Sequence, residues 1–100
     1  MQNRNGQIEL DFGDGTYPFR LGWGELLTLQ EACDAGPFVV LERLGKKTFK
    51  IEDIRETIRL GLIGGGLEPT RALKLVRDYV EGRPPLENLM LAQVVLSAAL

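Results

Sequence analysis

The sequence predicts an α+β domain: an N-terminal antiparallel β-hairpin packed on a bundle of about four α-helices. Three observations predict it. Residues 7–21 alternate apolar and polar side chains on either side of a glycine-rich turn, the period of half-buried strands. Beyond residue 24 the apolar positions recur every three or four residues, the period of helices. Glycine or proline punctuates the helical stretches, at Gly36-Pro37, Gly45, Gly64-Gly65-Gly66, Gly82 and Pro84-Pro85. One hundred residues, 44% of them hydrophobic and 26% charged, suffice for one core and are not the composition of a disordered chain. The expected organisation is a flexible segment over 1–6 and a single domain over 7–100.

The hairpin spans 7–21. Ile8, Leu10 and Phe12 share one face of the first strand, and Tyr17, Phe19 and Leu21 share one face of the second. Pairing Phe12 with Tyr17, Leu10 with Phe19 and Ile8 with Leu21 gathers all six on one side and sets Glu9 opposite Arg20. Pro18 has no N–H to give to a ladder. A two-residue Asp14-Gly15 turn would demand that N–H, whereas a four-residue loop Gly13–Thr16 points the missing group away. The loop is therefore the expected connection. A lone hairpin is marginal in water, so its apolar face must rest on helices.

Five helical stretches follow, at about 24–34, 38–44, 51–63, 69–81 and 86–100. In the first, Leu26, Leu29 and Cys33 recur at helical spacing with Trp23 and Leu27 beside them, and Glu25 lies in the first turn, where the helix dipole favours an anion. The second is short, Phe38 to Leu44. In the third, Ile51, Ile54, Ile58 and Leu62 form the stripe, and Glu52 with Arg55 and Glu56 with Arg59 are i,i+3 pairs. Pro69 opens the fourth, where its missing N–H costs nothing. Eleven of the last fifteen residues are apolar. A helix that apolar is either central in the core or covered by a partner. The second reading makes Leu89, Leu91, Val95 and Leu96 the candidate partner-binding residues.

Several chemistries are disfavoured by what the chain lacks. With no histidine it has neither the usual general base near neutral pH nor the commonest metal ligand. Its one cysteine, Cys33, lies on an apolar stripe and reads as a buried thiol. Asp11-Phe12-Gly13 spells a kinase tripeptide in a chain too short for a kinase. Gly61-Leu62-Ile63-Gly64-Gly65-Gly66 follows a helix instead of a strand, so it reads as a flexible interhelical hinge and not as a phosphate loop. Asp11 and Asp14 are too few for a calcium loop and fit turn chemistry. Arg43, Lys46, Lys47, Lys50, Arg55 and Arg59 are interleaved with Glu42, Glu52, Asp53 and Glu56, which reads as a solvated, ion-paired surface. The net charge of −2 argues against nucleic acid. Met1–Gly6 has no signal-peptide core, no run reaches the roughly 18–20 apolar residues of a membrane span, and a lone cysteine suits a reducing cytoplasm.

The order of these pieces resembles a family of small phage and gene-transfer-agent tail proteins, labelled tail assembly chaperone or tail tube protein. The hairpin Gln7-Ile8-Glu9-Leu10 to Tyr17-Pro18-Phe19-Arg20-Leu21 carries it. So do Trp23-Gly24-Glu25-Leu26, Leu29-Gln30-Glu31-Ala32, Ile51-Glu52-Asp53-Ile54-Arg55, Arg83-Pro84 and the run Leu91 to Leu100. Gly61–Gly66 followed by a proline-started helix is the most specific piece. Glu68 stands where the family has Ser or Thr. The resemblance implies a non-enzymatic tail assembly chaperone, acting in the bacterial cytoplasm during particle assembly. Its implied partners are the tape-measure protein, whose long apolar helices it would keep soluble, and tail-tube subunits. No catalytic residue, cofactor or metal ligand is implied, and a homo-oligomer stays open. The alternatives are a structural component retained in the particle and a small regulatory or interaction module.

Overall fold

The computed structural model describes residues 5–100, so Met1–Arg4 of the segment expected to be flexible lie outside the described residues. Strands β1 (Ile8–Phe12) and β2 (Gly15–Phe19) form the hairpin. Five helices follow: α1 (Trp23–Cys33), α2 (Pro37–Lys46), α3 (Ile51–Gly64), α4 (Pro69–Val76) and α5 (Leu89–Ala99). A π-helical turn, Arg77–Glu81, extends α4, and a 3₁₀ turn, Pro85–Asn88, leads into α5.

The hairpin register differs from the expected one by two residues. Ile8 pairs with Phe19, Leu10 with Tyr17 and Phe12 with Gly15, around a two-residue turn of Gly13 and Asp14. A slip of two keeps every side chain on its face, which is why alternation alone does not separate the two registers. Gly13 has φ +61°, and Asp14 is not in the left-handed region. Glycine at the first central position is the type II′ pattern, whose twist suits a hairpin. Pro18 now faces Glu9, a pair that does not exchange ladder bonds, so the requirement set by Pro18 is still met. Tyr17 donates its hydroxyl hydrogen to Asp14, and Thr16 donates to Asp11 at 2.7 Å, so both aspartates serve the turn.

The second strand meets α3 through glycines. The N–H of Arg20 donates to the carbonyl of Gly61 at 2.9 Å. A Cβ on Gly64 would overlap the Arg20 carbonyl oxygen, and one on Gly65 would overlap that of Pro18. Gly61 faces the side chains of Val95 and Phe19 less tightly, with a Cβ there 2.9 Å and 3.1 Å from them. The expected hinge is thus a notch in the end of α3 that admits the backbone of β2. Close backbone approach explains Gly64 and Gly65, and a left-handed φ of +111° explains Gly66.

The helix ends follow local chemistry. Glu25 accepts the Gly22 N–H at 2.9 Å at the start of α1, and Asp53 accepts the Lys50 N–H at 2.9 Å at the start of α3, each satisfying a donor the helix leaves unpaired. Pro37 and Pro69 open α2 and α4. Asp34 and Lys47 close α1 and α2 in the left-handed conformation.

The core is one cluster. Phe19, Leu29, Leu44, Ile54, Ile58, Leu62 and Leu96 are fully buried in it. The expected solvated ion pairs are only partly solvated. Asp53 is fully buried, and Arg43 grips it with two bonds, Nη2 to Oδ1 at 2.8 Å and Nε to Oδ2 at 2.9 Å. Arg43 also donates to the Cys33 carbonyl at 3.2 Å. One guanidinium therefore joins α2, the end of α1 and the start of α3. Glu56 pairs with Arg59 as expected, at 2.8 Å, but Arg55 turns to Glu56 instead of Glu52.

Candidate partner-binding site

The sequence put the partner surface on the last helix, at Leu89, Leu91, Val95 and Leu96. Leu89, Val95 and Leu96 instead lie in the core, and Leu91 is half-buried against it. The reason is enclosure: α5 packs on both α2 and α3, so most of its apolar side chains are used within the fold. Gln93 donates to the Leu44 carbonyl at 3.3 Å, so even the polar stripe is partly engaged. The side chain of this helix left most open is Met90.

A cluster of exposed apolar side chains lies at the start of α1 and α2. Leu29 and Cys33 turn α1 inward. Trp23 and Leu27, four residues apart, fall on its outer side, and Phe38 stands on the first turn of α2. Trp23 is 85% exposed, Phe38 70% and Leu27 55%. With Leu26, Pro37 and Leu100 they border a groove of about 330 Å³, in which Gln30 is the one polar side chain. Val39 is exposed beside it. Sequence reading placed Trp23 and Leu27 next to the stripe of α1. Alternate positions on so short a helix do not reveal which side a neighbour covers.

Two further grooves are smaller in apolar content. One, of about 360 Å³, lies between Ile51, Val80, Arg83 and Pro85. The other, of about 310 Å³, runs from Ile8 along Met90 and Val94 to Ser97.

The shifted titratable groups have local causes. Burial, reinforced by the Asp53 carboxylate, pushes the Cys33 thiol up to about 12, so it stays protonated. The hydrogen bond to Asp14 raises Tyr17. Arg59 holds the Glu56 carboxyl below its ordinary range. Among the described residues no cluster of three or more Cys, Asp or Glu could hold a metal ion, and no helix is long and apolar enough to cross a membrane.

A family model described as phage tail tube protein, GTA-gp10, matches residues 5–100. The chain belongs to that family. No curated protein and no solved structure matches it. The match covers every described element of this tail-family protein, from the hairpin to α5, and it includes both the glycine notch and the α1–α2 groove.

Proposed function

We propose that this tail-family protein is a non-catalytic assembly chaperone. It holds an apolar helix of another tail protein, the tape-measure protein first, in the α1–α2 groove while the particle is built. The carrying observation is the exposure of Trp23, Phe38 and Leu27 around one groove. Aromatic and aliphatic anchors beside a groove are what a helix-in-groove interface requires. Their exposed area is on the order of 500 Å², the size of a functional patch on a monomer. Permanent complexes bury about 2,000 Å² or more in total, so the patch suits a reversible grip. The protonated thiol of Cys33 and the lack of histidine support the absence of catalysis.

The family description favours a second reading, a subunit retained in the finished tail tube. Co-expression with the tape-measure protein tests the first. Wild-type protein should raise the soluble yield of that partner, and a variant carrying Trp23→Lys and Phe38→Asp should not, while keeping its own fold by circular dichroism. Mass spectrometry of purified particles separates the two readings. A chaperone is scarce there, and a tube subunit is present at tube stoichiometry.

A further inference from the structure

We propose that the outer edge of β1 is a second docking site, which takes an extended segment carrying basic side chains. The two edges of the hairpin are not alike. The edge of β2 is closed from Pro18 onward, because the Arg20 N–H is bonded to Gly61 and the carbonyls of Pro18 and Arg20 press on Gly65 and Gly64. Among the described residues the edge of β1 is open. With Phe12–Gly15, Leu10–Tyr17 and Ile8–Phe19 as the bonded pairs, Glu9 and Asp11 turn their N–H and C=O groups outward. Among the described residues no backbone bond reaches them from another element. Such a row is a template for one more strand.

The position beyond β1 adjoins the groove bordered by Ile8, Met90 and Val94. A strand added there, about 4.8 Å away, would turn alternate side chains toward that groove. The others would stand beside Glu9 and Asp11, both exposed. That alternation states the ligand: apolar residues on one face, Lys or Arg on the other. A second copy of this chain does not fit. Pairing β1 with itself sets carboxylates opposite carboxylates, which is destabilising. The site is distinct from the α1–α2 groove and does not depend on it.

The test uses the full chain and a synthetic peptide of about seven residues in which lysine and valine alternate. Amide hydrogen exchange followed by NMR should show protection gained at Glu9 and Asp11, with the Met90 methyl shifting. A glutamate–valine peptide, and a lysine–valine peptide N-methylated on its bonding edge, should not bind. Glu9→Lys with Asp11→Lys should weaken the lysine peptide by roughly three- to tenfold and admit the glutamate one. Absence of protection at both amides, equal binding of the N-methylated peptide, or protection confined to α1 and α2 would each overturn the proposal.

Discussion

The carbonyl oxygen of Arg20 occupies the place where a Cβ on Gly64 would stand. The obstacle is backbone, so no side chain can rotate aside. Gly64→Ala is expected to cost roughly 2–4 kcal/mol, through displacement of β2 from α3. Gly45, inside α2, has open space around it. Gly45→Ala should stabilise by about 0.5–1 kcal/mol, because alanine loses less entropy in a helix. Denaturant melts of the two variants should move in opposite directions. Equal midpoints would refute the notch.

Arg43 and Asp53 give a second expectation. Removing the guanidinium leaves a fully buried carboxylate without its partner, so Arg43→Ala should cost about 3–5 kcal/mol. The double variant Arg43→Met with Asp53→Leu removes the charge along with its partner and should recover part of that loss. Recovery will be incomplete, because Asp53 also accepts the Lys50 N–H that opens α3. A double-mutant cycle by urea melting measures the difference. Additive losses would mean the pair is not coupled.

Much of this architecture was legible in the sequence, and the parts that were not share a cause. Period-two alternation signalled the hairpin and Pro69 the start of α4, but Gly45, read as the end of the second helix, lies inside α2. The register escaped because shifts of two leave the alternation intact. The turn it requires also meets a distant neighbour: a Cβ on Gly13 would stand 2.6 Å from the ring of Tyr79, sixty-six positions later. The glycines of α3 were visible, but only the arrival of β2 makes them a notch. The same holds for the partner surface. Composition made α5 the most apolar helix, yet α2 and α3 cover it, and the exposed aromatics fell to Trp23 and Phe38 on less apolar helices.

The pH response follows from Glu56 and Cys33. The Glu56 carboxyl is depressed in the fold by Arg59. Its contribution is present above the unfolded value of about 4.3 and is lost as pH falls through the folded value. Stability should therefore decline in acid, and Glu56→Gln should flatten that decline. Cys33 works at the other end. Its folded value, raised from 9.0 to about 12, means the native state holds a proton the unfolded chain releases. Stability should fall between those values, and Cys33→Ser should change that slope. At pH 8 a thiol reagent should label Cys33 only at the rate of unfolding. Rapid native labelling would contradict the burial.

Trp23 is the single tryptophan in the sequence, and it stands almost fully in water. Its fluorescence therefore reports on the α1–α2 groove and little else. The isolated protein should emit as a solvated indole, and unfolding should barely move the maximum. An apolar helical peptide from the tape-measure protein should shift the emission to the blue as the groove is covered. Trp23→Ala should leave stability within about 0.5 kcal/mol, since the side chain rests on the surface. The same variant should weaken peptide binding by about 2 kcal/mol or more, as loss of a central aromatic anchor does. Blue emission from the free protein that turns red on dilution would mean that copies of the chain cover the groove themselves. Blue emission that persists on dilution would place Trp23 inside the monomer and remove the surface on which the chaperone reading stands.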